Sequence, residues 1–190
     1  CFKYNFRKFI KVVRSNFSFY YRGNLSISQK VNLIQFDAHT DTYRGDGNQD
    51  YMRYNVATTF TRAAEEGLID AKASLHIGPR GPTMDNSVFE HTRDVGFQLI
   101  DGDELFETGL LKTADNLVEQ LKERTVYLCF DMDFFDPSCA PGVCTPTWGG
   151  ATAREGLGFL RKLKGLNIVG ADINTVSPPH DVGGMTAFLA

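Results

Sequence analysis

Several residue types and patterns are scarce in this sequence, and each shortage excludes a class of protein. The chain has 190 residues but only four cysteines, four histidines and one tryptophan. No run approaches the ~20 consecutive apolar residues that a membrane-spanning helix needs, so we expect no membrane contact. Residues 1–30 lack the continuous apolar core of a secretory signal. The 18 glycines follow no three-residue period, which excludes a collagen-like chain.

The cysteines lack the spacing of a zinc finger, and we expect them to be reduced. They stand at Cys1, Cys129, Cys139 and Cys144. Structural zinc sites usually take their cysteines in pairs such as Cys-x-x-Cys, and no two cysteines of this sequence have that spacing. We interpret the cysteines as free thiols, which predicts an intracellular, cytoplasmic protein.

Acidic residues are absent from the first 36 positions, so charge is unevenly distributed along the chain. This segment contains seven Lys/Arg residues, whereas the whole chain has a net charge of −3. Its many aromatic residues, mixed with basic ones, are found in proteins that bind single-stranded nucleic acid. A charge run alone has a high false-positive rate, so nucleic acid is not the partner that we expect. We divide the chain into a basic, aromatic-rich N-terminal extension at 1–30 and a domain at 31–190.

From residue 31 onward, short apolar runs alternate with helical segments. The predicted strands are 31–36, 74–77, 97–100, 126–130 and 166–171, and the predicted helices are 58–66, 103–122 with a break near Gly109, and 152–164. Thr152 and Glu155 fit a capping box at the start of the last helix. Strands alternating with helices indicate an α/β fold with a mostly parallel sheet.

Four of the predicted strands end in an aspartate, namely Asp37, Asp101, Asp131 and Asp172. Parallel sheets bind their ligands beyond the carboxyl ends of the strands, so this is where we expect the chemistry. An aspartate in this place also commonly caps the next helix. We predict capping for Asp101 and Asp172, and a different role for the other two.

Acidic residues and one imidazole cluster after two of these strands. Asp37, His39 and Asp41 occupy alternate positions, so their side chains can converge in an extended chain. Asp131 and Asp133 repeat this spacing after another strand. Carboxylates a few ångströms apart raise one another's pKa, so a cleft that gathers them needs a compensating charge. Oxygen ligands with one imidazole suit Mn²⁺, and bridging carboxylates suit a two-metal site that activates water.

The second cluster alone fits other functions. A phosphatase with a nucleophilic aspartate and a glycosyltransferase both use an Asp-x-Asp element such as 131–133. An EF-hand is excluded, because Phe135 and Asp136 occupy its fifth and sixth positions and Gly142 its twelfth. Neither open alternative explains the first cluster, so the two clusters together favour the metal site.

Longer motifs resemble the ureohydrolase family of arginases, agmatinases and related guanidino-acid hydrolases. They are LIQFDAHTDTY (33–43), IGPRGP (77–82) and CFDMDFFDPSCAPGVCTPTWGG (129–150), with EEGLID (65–70) and VGADINTVSPPHDVGGMTAFLA (169–190) closest to agmatinases. The resemblance covers about 22–190. It implies a three-layer α/β/α fold, which we expect to be incomplete in this chain, together with two Mn²⁺ ions, a guanidino substrate and a homo-oligomer.

The resemblance also implies roles for the clustered residues. Asp37 and Asp131 would bridge the two ions, Asp41 would bind the first ion, and His39 and Asp133 the second. In the family, a hydroxide held between the ions attacks the guanidinium carbon and releases urea and an amine, such as putrescine from agmatine. Catalysis is therefore expected to depend on Asp37, His39 and Asp131.

Three positions depart from the family pattern. Leu25 replaces a metal-binding histidine, Val56 a proton-shuttling histidine, and Thr175 a glutamate that pairs with the guanidinium group. Thr175 and His180 are the candidate substrate-binding residues. Two interpretations stay open: an agmatinase-like, Mn²⁺-dependent hydrolase with impaired activity, or a catalytically inactive homologue that is a partner subunit or a remnant.

Overall fold

A computed structural model describes residues 31–45 and 53–190 as a five-stranded parallel sheet with helices on both faces. The strands are β1 (Asn32–Phe36), β2 (Leu75–Ile77), β3 (Gln98–Ile100), β4 (Thr125–Asp131) and β5 (Asn167–Asn174). The helices are α1 (Thr59–Glu65), α2 (Val88–Val95), α3 (Gly102–Thr108), α4 (Leu110–Leu121), α5 (Ala153–Lys162) and α6 (Met185–Leu189). The predicted extension at 1–30, which includes Leu25, lies outside the described residues. Within the described ranges, no helix has the length and apolarity needed to cross a bilayer.

The order in which strands are added to the sheet reverses between the neighbouring strands β1 and β4. The sheet reads β3-β2-β1-β4-β5, with every neighbouring pair parallel. The chain therefore builds outward from β1 to β3, and then returns to add β4 and β5 on the other side. At such a reversal the outgoing loops diverge, which opens a crevice at the carboxyl ends of the strands. Asp37 follows β1 and Asp131 ends β4, so both lie at this crevice.

The apolar core is split by the sheet into two parts. On one face, Phe36 stacks on Phe130 with ring centroids 5.1 Å apart and meets Phe159 of α5 edge-on at 4.9 Å. Side chains of α3 and α4 join this cluster. On the other face, Leu33 clusters with Phe60 of α1. Alternate residues of β1 thus pack against helices on opposite faces of the sheet. This arrangement confirms the predicted α/β fold with helix, sheet and helix layers.

Local signals in the sequence set several element ends correctly. Thr152 and Glu155 form the predicted capping box at the start of α5. The side chain of Asp101 caps α3, as predicted, by accepting a hydrogen bond from the Glu104 N–H at 3.0 Å. Gly109 separates α3 from α4 with a φ of 90°, which is costly for a residue with a Cβ. The three cysteines in the described part, at positions 129, 139 and 144, are free thiols.

The prediction that Asp172 ends a strand and caps a helix is wrong. The ladder between β4 and β5 continues until Asp131 pairs with Asn174, so Asp172 lies inside β5. After β5 the chain enters a short turn at Pro178–His180 rather than an α-helix. The Asp172 carboxylate instead accepts hydrogen bonds from Asn174 Nδ2 at 2.5 Å and from Cys129 Sγ at 3.3 Å.

Two glycines of α5 provide a matched test of the packing. A Cβ at Gly156 would lie 2.2 Å from Cε1 of Phe135, whereas a Cβ at Gly158 would lie 3.5 Å from Cδ2 of Leu111. We predict that Gly156→Ala lowers the free energy of unfolding by about 1–3 kcal/mol, because it overpacks the core. Gly158→Ala should raise it by about 0.5–1 kcal/mol through helix propensity. Urea unfolding measures both, and equal stabilities of the two variants would contradict this packing.

Candidate metal centre

Three side chains converge at the carboxyl ends of β1 and β4. His39 Nδ1 lies 3.3 Å from Asp37 Oδ1 and 3.1 Å from Asp133 Oδ2. One ligand atom from each of the three residues lies within 4.8 Å of the others, a separation that one cation with ligand bonds of about 2–2.6 Å can span. Asp37 and Asp133 are buried and His39 is half-buried. The arrangement therefore suits a partly enclosed divalent cation.

The backbone next to the two strand ends orients these carboxylates. The Ala38 N–H donates to Asp133 Oδ1 at 2.9 Å, and the His39 N–H donates to Asp37 Oδ1 at 2.6 Å. The Asp133 N–H donates to Asp131 Oδ1 at 2.9 Å. Each bond joins the carboxylate of one residue to the backbone of a short turn. The first of these bonds joins the loop after β1 to the turn after β4, and the other two fix the conformation within each segment.

Asp131 and Asp41 add their charges to this group. The pKa of Asp37 is raised well above its usual value, first by burial and then by the charges of Asp131, Asp133 and Asp41. Burial and the charge of Asp133 raise the pKa of Asp131 in the same way. Burial also raises the pKa of Asp41 to about 7, with His39 opposing the shift. A buried acidic cluster of this kind requires positive charge to stay ionised, and divalent cations supply it.

His39 and Asp133 stabilise each other's charged forms. Burial works against the charge of His39, but its hydrogen bond to Asp133 and the charge of that residue raise its pKa. Burial likewise works against the charge of Asp133, and the contacts with His39 and the Ala38 N–H lower its pKa. Because a metal ion binds neutral imidazole, a cation in this site would take the place of the proton on His39.

Backbone strain is found at two of the predicted site residues. Among non-glycine residues in the ranges 31–45 and 53–190, Asp41 and Thr175 have positive φ angles, of 50° and 63°. This region is uncommon for residues with a Cβ and a true outlier for a β-branched one. Strained conformations cluster at functional sites. Here Thr175 donates its hydroxyl hydrogen to Asp131 Oδ1, while the Asp41 carbonyl accepts from the Phe60 N–H at 3.1 Å.

The remaining predicted residues lie around this centre or away from it. Thr175 is placed against Asp131, next to the acidic cluster. His180 lies in the exposed turn Pro178–His180, where its Nδ1 pairs with Ser177 Oγ at 2.7 Å. Val56 is exposed and begins a short turn before α1. The structure therefore brings Thr175 to the acidic cluster and leaves His180 in an exposed turn.

Arg80 is a supporting residue to which the sequence analysis gave no role, although it lies in the IGPRGP motif. Its guanidinium Nη2 donates to the carbonyl oxygens of Asp133 at 2.8 Å and Thr147 at 2.7 Å. Its Nε and Nη1 donate to the carbonyl oxygens of Trp148 and Gly78, each at 3.1 Å. Arg80 thus ties the turn that carries Asp133 to a second loop and to the end of β2. An arginine between glycine and proline residues, directly after a buried strand, was the signal available in the sequence.

Comparisons with known proteins agree with this geometry. A sequence profile of the Arginase family matches residues 17–190. The chain is 38% identical to a guanidinopropionase of Pseudomonas aeruginosa, over 87% of this chain and 51% of that protein. It is 41% identical to an agmatinase of Photorhabdus laumondii, over 84% of this chain and 48% of that protein. The solved structure of proclavaminate amidino hydrolase from Streptomyces clavuligerus matches with a TM-score of 0.79 and 34% identity, over 92% of this chain and 55% of that one. The chain spans about half the length of the curated relatives it matches.

Two aspartates in the segments that follow strands provide a matched test of cation binding. Asp133→Asn removes a carboxylate from the centre and should weaken Mn²⁺ binding at least about tenfold. Asp101→Asn changes an aspartate that follows β3 and caps α3, and asparagine is an equally good cap. This control should bind Mn²⁺ as the unchanged chain does. Isothermal titration calorimetry on variants shown to be folded by circular dichroism measures the affinities, and an unchanged affinity of Asp133→Asn would exclude this centre.

Proposed function

Because the chain belongs to the arginase family, we propose that it hydrolyses a guanidino compound of the agmatinase or guanidino-acid type. In this reaction water adds to the guanidinium carbon, the bond from that carbon to the substituted nitrogen breaks, and urea and an amine leave. The observation that carries the proposal is the convergence of Asp37, His39 and Asp133 inside a buried acidic cluster. The cluster lies at the reversal of strand order, where parallel sheets bind ligands.

We further propose that Mn²⁺ ions occupy the cluster. Asp37 and Asp131 would bridge two ions, Asp41 would bind one of them, and His39 and Asp133 the other. Oxygen ligands with a single imidazole suit Mn²⁺ better than zinc, which favours thiolates and several imidazoles. When bound, such ions lower the pKa of water and so provide a nucleophile near neutral pH. The rigid loop contacts described above hold the ligands in position for this role.

With one ion bound, the same acidic cluster keeps a net negative charge and favours a cationic substrate. Clefts lined by carboxylates attract a guanidinium cation before contact. Thr175, beside Asp131, offers the guanidinium group a neutral hydrogen-bond acceptor, whereas a carboxylate would add an ion pair to that hydrogen bond. We therefore expect an active hydrolase with a high KM. The relatives named above are hydrolases, which favours this activity over the inactive homologue. We expect the enzyme to act as a cytoplasmic homo-oligomer.

A urea-release assay tests the proposed activity. With added Mn²⁺, the chain should release urea from at least one of agmatine, 4-guanidinobutyrate, 3-guanidinopropionate and arginine. Asp37→Asn should abolish this release, because it removes a proposed bridging ligand, whereas Asp101→Asn should retain it. If a protein shown by calorimetry to hold Mn²⁺ releases no urea from any of these compounds, the proposed function is wrong.

The number of bound ions tests the consequence of Leu25. Leucine offers no lone pair, so we predict one tightly bound Mn²⁺ per chain after dialysis, as measured by elemental analysis. Leu25→His should raise the count toward two and increase urea release. Leu25→Phe, which also adds a ring but no ligand, should leave the count at one. Two tightly held ions in the unchanged chain would contradict the assignment of Leu25.

A further inference from the structure

Two buried polar side chains lie beneath Asp37 on the same face of the sheet. Gln35 and His76 are register partners on β1 and β2, and they are 1% and 0% exposed. Gln35 precedes Asp37 by two residues, so both side chains project from the same face. Gln35 Nε2 donates to Asp37 Oδ2 at 2.6 Å, and Gln35 Oε1 contacts His76 Nδ1. A continuous hydrogen-bonded chain therefore runs from His76 through Gln35 to Asp37.

The carboxylate of Asp37 accepts the last hydrogen bond of this series, and this sets the direction of both hydrogen bonds of Gln35. The amide nitrogen of Gln35 can only donate, so it faces the carboxyl oxygen of Asp37, and the amide oxygen then faces His76. An amide oxygen can only accept, so Nδ1 of His76 must carry the proton. The geometry thus selects the Nδ1–H tautomer of His76.

The surroundings of His76 agree with this tautomer. Burial lowers the pKa of His76 to about 3, so the ring is neutral. Its Nε2 has no hydrogen-bond partner among the described residues, and the rings of Phe97 and Phe60 meet the imidazole edge-on at 4.6 and 5.5 Å. With the proton on Nδ1, this Nε2 is a lone pair in an apolar pocket. The neutral ring therefore donates its one N–H to Gln35, so every buried donor of His76 has an acceptor.

We infer that Gln35 and His76 are positioning residues that hold the carboxylate of Asp37 toward the metal centre. Oδ1 of Asp37 accepts the His39 N–H and Oδ2 accepts the Gln35 amide, so both oxygens are fixed. Each oxygen keeps a lone pair for a cation. The inference rests on the proposed function, because it requires that the cluster binds an ion. Groups that orient metal ligands in this way typically change metal affinity 10–100-fold.

The test separates positioning from simple packing by measuring Mn²⁺ affinity and stability on the same variants of the 190-residue chain. Gln35→Met keeps the length of the side chain and removes the donor to Asp37. His76→Phe keeps a ring and removes the donor to Gln35. Both should lower Mn²⁺ affinity about 10–100-fold. His76→Gln keeps a donor for Gln35 and should recover most of the lost affinity.

A second buried amide of β1 provides the matched control. Asn32 is 4% exposed and donates to the Thr125 carbonyl at 2.8 Å, at the opposite end of the strand from Asp37. Asn32→Leu should lower the free energy of unfolding in urea without changing Mn²⁺ affinity. If Gln35→Met and His76→Phe also lose stability but bind Mn²⁺ normally, the pair only packs the core and the inference is wrong.

The tautomer provides an independent measurement. Long-range ¹H–¹⁵N NMR correlations should show His76 protonated on Nδ1 in the unchanged protein, and Gln35→Met should remove this preference. A proton on Nε2 in the unchanged protein would overturn the inference. Failure of the proposed function is distinguishable, because a chain that binds Mn²⁺ through this network and releases no urea would refute only the hydrolase. A chain that binds no Mn²⁺ would refute both.

Discussion

The constraint on which this structure depends is the repulsion among carboxylates gathered at the ends of two adjacent strands. Asp37, Asp131 and Asp133 are buried and Asp41 is half-buried, so water offsets little of this repulsion. Burial and mutual charge hold the pKa of Asp37 and Asp131 well above their usual range. A fold gains no stability from such a cluster, since apolar residues of similar volume would pack there at lower cost. The cluster is understandable as a binding site whose compensating charge comes from its ligand.

The rest of the fold serves to keep this cluster in place against its own repulsion. The parallel ladder between β1 and β4 fixes the two strand ends side by side. Above it, Arg80 joins three loop segments through their carbonyl oxygens, and two glycines allow close packing, one against Arg80 and one against Phe134. A Cβ at Gly150 would lie 2.4 Å from Arg80 Nη2, and one at Gly78 would lie 2.7 Å from the ring of Phe134. Side-chain size is therefore restricted around the cluster as well as within it.

The parts of the structure that follow from local sequence could be predicted, and those that depend on register could not. The cap at Asp101 and the acidic residues after β1 and β4 are signalled by neighbours in the chain, as is the family motif. Asp172 was misplaced because the end of β5 is set by the ladder with β4, which the sequence of β5 does not encode. The pairing of Gln35 with His76 needs the register of β1 and β2. Here a glutamine inside a buried strand, two residues before Asp37, was the only signal.

Formal charge links the departures from the family pattern to one another. The four carboxylates of the cluster carry a total of −4 when ionised, so two divalent cations would neutralise it and one would leave a net charge of −2. A neutral centre attracts a guanidinium cation only through a further acidic group, and Thr175 supplies none. A centre with one ion keeps enough negative charge to attract the substrate by itself. The proposed absence of an ion ligand at Leu25 and of an acidic partner at Thr175 would therefore act in opposite directions on the charge that the substrate meets. For this reason, the ion count and the strength of substrate binding must be interpreted together.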